Sequence, residues 1–315
     1  MSESAVGRVY ASVHSIDHFA LNVPSIVEAQ QFFRAFGLDV TEANAQTREL
    51  EIRAADGHRW GRILPADRKS LAWLSFNCFE DDFDAIRSQV SAAGAAFTTG
   101  RISGDDTGFW FHDPDGNLIQ VKIGPKTSPS SKTPCVTKGC PADERGAHTR
   151  SASRTVRPRR LSHVLLFTSD VLRAIDFYNR TIGLRLSDKS LDIIAFTHAP
   201  HGSDHHLVAF ARSTVRGWHH VAWDVQNVNE VGQGASQMAA AGYRKGWGTG
   251  RHVLGSNYFH YVQDPWGSFC EYSADIDFVS VGHEWPAGDF APEDALYLWG
   301  PDVPDDFTCN GEILA

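Results

Sequence analysis

A chain of 315 residues with 42% hydrophobic content is long enough for two domains, each with a core of its own. Its 38 acidic residues against 29 basic ones give a formal charge of -9, which counts against nucleic acid, a partner usually met by a basic face. No apolar run approaches the roughly 18 residues of a membrane-spanning helix. The five cysteines, an odd number with no CxxC pair and no leader-like start, fit a reduced, cytoplasmic setting.

In chain order, one pattern recurs four times: a short alternating strand, a helix ended by glycine, then three strands. Unit one opens at 16–23 (IDHFALNV), with a helix from about Ser25 to Phe36 that Pro24 can start and Gly37 can end. Unit two opens at 71–78 (LAWLSFNC), carries a helix over 82–94 and closes with 110–123 (WFHDPDGNLIQVKI). Residues 125–160 then read as a Pro/Ser/Thr-rich linker. Nine Lys or Arg against Asp143 and Glu144 give it +7 and leave -16 elsewhere, so it is expected to dock on the acidic remainder. Its Cys135 and Cys140 are too few, and wrongly spaced, for a zinc site.

Unit three opens at 161–169 (LSHVLLFTS), has a helix carrying Leu172, Ile175 and Phe177 that Gly183 ends, and a strand at 205–211 (HHLVAFA). Unit four opens at 218–225 (WHHVAWDV), has a helix carrying Val228, Val231, Ala235 and Met238 with Gly242 as cap, and ends in the hairpin-like 250–272 (GRHVLGSNYFHYVQDPWGSFCEY). Tandem βαβββ modules give an α+β fold of two similar domains, over 14–124 and 161–278, with a tail over 279–315. Such a sheet, with helices on one face, can curl into a cup.

This arrangement resembles the vicinal oxygen chelate superfamily, which includes the glyoxalases, and its C-terminal half resembles the type I extradiol ring-cleavage dioxygenases. The closing motif carries the likeness: His252, Tyr261, Asp264-Pro265, Gly267 and Glu271 fit that family's spacing. His260 departs from it, standing where the family has an apolar residue.

The repeat itself locates a metal. With Pro265-Trp266-Gly267 as a three-residue loop, Asp264 pairs with Ser268 and Tyr261 falls opposite Glu271. His163 and His220 hold equivalent positions on the opening strands of units three and four, so both face the side of the sheet that Glu271 faces. Two imidazoles and one carboxylate with open positions suit Fe(II), or Mn(II). His219 competes with His220, but aligning SHVLL with HHVAW puts His220 in register with His163, and alternation turns His219 away. The matching N-terminal positions hold His18, Trp73 and Gln120, so that half is expected to bind no catalytic metal and to serve as a structural partner. For His18, His58, His112, His148, His198, His201 and His283 the ordinary role is that of a satisfied core or edge residue.

The resemblance further implies that His206 is the acid/base residue beside O2, and that His252 and Tyr261 hold the diol oxygens. His205 competes with His206 for the inward position, and Tyr261 also reads as a core aromatic. His260, opposite in parity to Tyr261, is expected to face out of the cup. The activity implied is Fe(II)-dependent opening of a catechol ring beside its diol by O2, in a homo-oligomer. Trp218, Phe196, Trp247, Phe259 and the tail 284–307 are candidate pocket walls, suited to a substituted or bicyclic catechol. The tail reads equally as a pocket cover and as an ordinary C-terminal arm. Arg251 or Lys245 is the candidate partner for a ring carboxylate, while Arg244 and Arg212 read as solvated. A 4-hydroxyphenylpyruvate dioxygenase would share the triad but lack the His206, His252 and Tyr261 set. A glyoxalase-like isomerase would need a fourth protein ligand, and a metal-free binding protein would lack the triad.

Overall fold

A computed structural model describes residues 11–44, 46–100, 107–135, 137 and 139–313. The N-terminal half contains β1 (Ser15–Val23), α1 (Ile26–Ala35), β2 (Asp39–Asn44), β3 (Glu49–Arg53) and β4 (Arg59–Pro65). The second copy follows as β5 (Ser70–Cys78), α2 (Glu80–Ala92), β6 (Phe97–Thr98), β7 (Phe109–His112) and β8 (Leu118–Ile123). All eight strands form one sheet in the order β2-β3-β4-β1-β5-β8-β7-β6. Each copy pairs its first strand parallel to its last, and the copies meet through antiparallel β1 and β5.

The C-terminal half repeats this with β9 (Arg160–Thr168), α3 (Val171–Ile182), β10 (Arg185–Ser190), β11 (Ile194–His198), β12 (Ser203–Asp204) and β13 (Val208–Arg212). Its second copy is β14 (Gly217–Asp224), α4 (Val228–Ala240), β15 (Gly246–His252), β16 (Tyr258–Gln263) and β17 (Phe269–Ala274). The chain ends with β18 (Phe278–Val279), β19 (Gly288–Asp289), α5 (Pro292–Ala295) and β20 (Tyr297–Trp299). The sheet order is β19-β10-β11-β13-β9-β14-β17-β16-β15-β20. Its eight inner strands reproduce the N-terminal order, and the tail adds one strand at each edge.

The helix ends follow from local chemistry. The Asp170 side chain accepts a hydrogen bond from the Arg173 N–H at the start of α3, and Gly183 closes that helix at φ 74°. Ser25 caps α1, with Pro24 just outside it. Alternation along β9 then divides its side chains between two environments. Val164 and Leu166 join the core that includes Ala174 and Tyr178 of α3, while His163, Leu165 and Phe167 line a cavity on the other face.

One core spans both halves. Tyr272 stacks on Phe36 at 3.8 Å and its hydroxyl donates to the Phe36 carbonyl, while Trp218 packs 5.2 Å from Phe19. Trp218, expected in the pocket wall, thus belongs to the seam between the halves. The linker docks on acidic residues at its two ends, while 139–155 stays exposed. Arg159 pairs with Asp224 at 2.8 Å, Arg160 with Asp204 at 2.7 Å and Lys132 with Asp275 at 3.0 Å. None of its described residues lines the cavity. Val136 and Lys138 lie outside the described residues.

Candidate metal centre

Strand register builds the centre around one alanine. Ala222 on β14 has His163 of β9 on one side and Glu271 of β17 on the other, with His220 two residues along its own strand. Laterally paired residues, and residues two apart, share a face, so all three side chains rise over the Ala222 methyl. His163 Nε2 lies 3.2 Å from Glu271 Oε2, and His220 Nε2 lies 3.5 Å from that same oxygen. One ligand atom from each of the three residues falls within 4.8 Å of the others. Ligand atoms about 2.1 Å from one ion at right angles stand about 3 Å apart, so the spacing fits a shared cation. His220 Nε2 and Glu271 Oε2 are buried with no hydrogen-bond partner. Each such group costs about 1–3 kcal/mol when left unpaired, and a divalent cation relieves both.

The remaining ring atoms set the tautomers that ligation needs. His219 Nε2 is 2.7 Å from the Phe307 carbonyl, which can only accept, so that nitrogen carries the proton and its Nδ1 is an acceptor. His220 Nδ1, 2.6 Å from His219 Nδ1, must then donate, leaving the His220 Nε2 lone pair for metal. Ser162 Oγ, 3.2 Å from His163 Nδ1, donates in turn to Asp204, so His163 is held in the same tautomer. Burial, reinforced by the neighbouring histidines, holds the His220 pKa well below its ordinary value, so the imidazole is neutral, as a ligand must be.

His219 does not face away as alternation predicts. A register shift between Trp218 and His220 breaks the period, and His219 is buried against Phe167, Phe269 and Phe307. Nor does the strand expected over 205–211 begin at His205. It begins at Val208, because the His205 amide bonds to Asp277 in a connection that also pairs β12 with β18. His206 faces the cavity, its ring 4.0 Å from that of His163, while His205 turns away onto Asp188 at 2.8 Å.

The hairpin register is the one its turn chemistry predicts. Tyr261 pairs with Glu271, the Asp264 amide bonds to Ser268, and Gly267 takes φ 90°. His252 lies on the separate strand β15. Its Nδ1 donates to the Leu296 carbonyl at 2.6 Å, so its Nε2 accepts from the Tyr261 hydroxyl at 2.9 Å. Burial lowers the pKa of His206 and His252, while burial and then the Glu271 charge raise that of Tyr261 well above the usual phenol value.

The structure adds a residue that the sequence did not single out. Asn257 donates from Nδ2 to Glu271 Oε1 at 2.8 Å and to Ser273 Oγ at 2.9 Å, which orients the carboxylate. It lies in an irregular link between strands, where periodicity gives no signal.

A cavity of about 250 Å³ opens over the centre, walled by Leu165, Phe167, Ile194, Phe196, Leu254 and Phe307. Of the expected walls, Phe196 lines it. Trp247 and Phe259 stand behind His252 and Tyr261 instead. The tail supplies Pro292, Ala295, Leu296, Phe307 and Thr308, so the two readings of it merge: it packs on the sheet edges and thereby closes the cavity. Arg251 turns to Tyr258 and the Ser256 carbonyl, and Lys245 is exposed, so neither reaches the cavity. Arg212 lies at its rim, largely solvated and paired with Asp192. His260 pairs with Gly248 on the outer side of Tyr261, where α4 packs on β16, and its Nδ1 is buried without a partner.

The N-terminal half provides an internal contrast. His18 Nε2 accepts from the Trp73 indole at 2.9 Å, His18 Nδ1 bonds Asp17, and Gln120 is satisfied by Ser75 and the Thr107 carbonyl. The same three sheet positions that leave two atoms unpaired in the C-terminal half are closed here by hydrogen bonds.

Comparison with known proteins shows the family. Residues 15–121 and 160–272 match the Glyoxalase/Bleomycin resistance protein/Dioxygenase superfamily. The chain belongs to that superfamily and, within it, to the extradiol ring-cleavage dioxygenases. The more particular likeness is to Metapyrocatechase 2 of Cupriavidus necator, 62% identical over 312 residues that cover 99% of this chain and 96% of the relative. Among solved structures, the Mn(II)-bound glyoxalase from Novosphingobium aromaticivorans superposes with a TM-score of 0.74 at 25% identity, covering 94% of each chain. Homoprotocatechuate 2,3-dioxygenase from Arthrobacter globiformis gives 0.74 at 17% identity, over 96% of this chain and 92% of that one, a likeness of fold. No helix among the described residues is long and apolar enough to cross a membrane.

Proposed function

We propose that this chain opens a catechol ring beside its diol with O2, using Fe(II) held by His163, His220 and Glu271. The observation that carries the reading is the convergence of three buried ligand atoms, two without any partner, at the floor of an apolar cavity. Bound there, Fe(II) supplies Lewis acidity toward the diol oxygens and one-electron chemistry toward O2; Mn(II) suits the same donors. His206 accepts a catechol proton and returns it as the ring opens. His252 and Tyr261, already bonded to each other, orient the second diol oxygen and favour its deprotonated form. Leu165, Phe196 and Leu254 hold the ring and keep water out.

The cavity is smaller than the roughly 300–1,000 Å³ of sites for drug-sized ligands, so it suits a single ring with an apolar substituent better than two fused or linked rings. With Arg251 and Lys245 outside the wall and Arg212 paired with Asp192, no unpaired cation among the described residues lines the cavity to meet a ring carboxylate. The His206, His252 and Tyr261 set favours catechol cleavage over hydroxyphenylpyruvate chemistry. The three-member ligand set among the described residues favours it over a glyoxalase-type isomerisation.

The test is oxygen uptake by anaerobically Fe(II)-loaded protein, with catechol, 3-methylcatechol, 2,3-dihydroxybiphenyl and a carboxylated catechol offered in turn. One O2 per ring and a yellow product, fastest with the methylated ring, is the expected result. Iron-loaded protein that consumes no O2 with any diol would overturn the proposal.

A further inference from the structure

His205 and Asp188 lie outside the cavity wall and make no contact with the three proposed ligands, yet they form a chain that ends at His206. Asp188 Oδ2 is 2.8 Å from His205 Nε2, and His205 Nδ1 is 3.1 Å from His206 Nδ1. Both side chains are almost wholly buried, at 7% and 0% exposure, so water does not compete for these atoms. Asp188 is itself fixed by two donors from the tail: the Trp285 indole N–H at 3.2 Å on Oδ2 and the Gly288 amide at 2.7 Å on Oδ1. His205 is fixed by its backbone as well, its amide on the Asp277 carbonyl and its carbonyl on the Ser187 hydroxyl.

With both rings neutral, donor and acceptor rules leave one proton arrangement. A carboxylate already receiving two N–H groups accepts from His205, so the His205 proton is on Nε2 and its Nδ1 is an acceptor. Two ring nitrogens 3.1 Å apart need one proton between them, so His206 carries its own on Nδ1. That leaves His206 Nε2 as an unprotonated lone pair, with no protein partner among the described residues, on a ring that lines the cavity beside His163.

We infer that His205 and Asp188 are positioning residues for His206. They hold its ring and tautomer so that Nε2 faces the substrate as a proton acceptor. The inference rests on the reading of His206 as the acid/base group. It differs from a structural role for the pair in one respect: the effect passes through His206 and disappears when His206 is gone.

The experiment is a double-mutant cycle on iron-loaded enzyme, measuring kcat, KM and bound iron for His206→Phe, His205→Leu, the double variant and His205→Asn. His205→Leu removes the acceptor and should lower kcat by roughly 10²-fold with iron content and KM unchanged, the size of a lost acid/base contribution. The double variant should be no slower than His206→Phe alone. His205→Asn keeps an acceptor oxygen near the place of Nδ1 and should recover part of the loss. Wild-type turnover in His206→Phe would remove the acid/base reading itself. A slow His206→Phe beside a normal His205→Leu would overturn only the relay. So would a further 10²-fold loss when His205→Leu is added to His206→Phe, because the residue would then act on the structure and not through His206.

Discussion

Asn257→Leu tests whether the carboxylate of Glu271 is held from behind. Glu271 is fully buried, and its Oε1 accepts the Asn257 amide at 2.8 Å while Oε2 faces the two imidazoles. Leucine has the branched shape of asparagine but methyl groups in place of the amide, so the substitution removes one hydrogen bond to a charged acceptor, a contact worth about 1.5–3 kcal/mol. At about 1.4 kcal/mol per tenfold, that is a loss of roughly 10–100-fold in metal affinity, the range found for outer partners of metal ligands. The assay is an anaerobic titration with Fe(II) or Mn(II) against a chelating dye. The metal-dependent rise in melting temperature should shrink in parallel, since binding stabilises in proportion to ln(1 + [L]/Kd). Because the His252 amide bonds to the Asn257 backbone carbonyl, the variant leaves that strand contact intact. A leucine variant that holds metal as tightly as wild type would refute the reasoning.

Glu271→Ala should lose metal and turnover together, because two imidazoles alone bind weakly; a metal-loaded, active variant would exclude the carboxylate from the ligand set. Trp73→Phe leaves the buried Nε2 of His18 without its donor and should cost about 1–3 kcal/mol in denaturant unfolding with kcat unchanged. A loss of activity there would mean that the N-terminal half takes part in catalysis. Burial lowers His14, His198 and His260 from the ordinary 6.5 to about 4. Their unfolded forms therefore take up protons first as acid is added. The stability they contribute is complete above about pH 6.5 and is lost between there and about pH 4, and metal-free protein unfolded at pH 7 and pH 5 should differ accordingly; equal stability at both would contradict the burial argument. Truncation after Gly282 in the exposed turn beyond β18 should cut kcat at least 10²-fold while β9, β14 and β17 remain paired by circular dichroism, and a truncated chain with wild-type turnover would show the tail to be dispensable.

The fold and the convergence of His163, His220 and Glu271 were legible because they depend on pattern. Four repeats of strand, helix and strands place His163 and His220 by equivalence, and the Asp264-Pro265-Trp266-Gly267 turn places Glu271 opposite Tyr261 by counting. What was not legible depends on departures from pattern. The bulge before His220 turns His219 inward, a change no alternation rule can see. Asn257 reaches Glu271 from a segment without periodicity. Arg251 gives its guanidinium to Tyr258 instead of to the cavity, 4.6 Å above the ring. Trp218 is apolar, large and beside His219, and composition alone cannot decide between a pocket wall and the seam with Phe19 that it fills.

The tail shows why those departures matter together. Five imidazoles line the cavity, and four of them, His163, His206, His220 and His252, offer Nε2 inward because the other nitrogen is engaged from outside. Phe307 engages His220 through His219, Leu296 engages His252 directly, and Trp285 with Gly288 fixes the Asp188 that holds His205 against His206. Three of the four anchors therefore sit between residues 285 and 307, beyond the repeat that builds the sheet. The fourth, Asp204 through Ser162 to His163, is gripped by Arg160 where the linker ends. The βαβββ repeat places the imidazoles, and segments outside the repeat decide which nitrogen of each one faces the cavity. A chain with an intact sheet and an undocked tail would present the same ligands without fixed tautomers, and this is the physical reason that docking of the tail and competence of the site should be lost together.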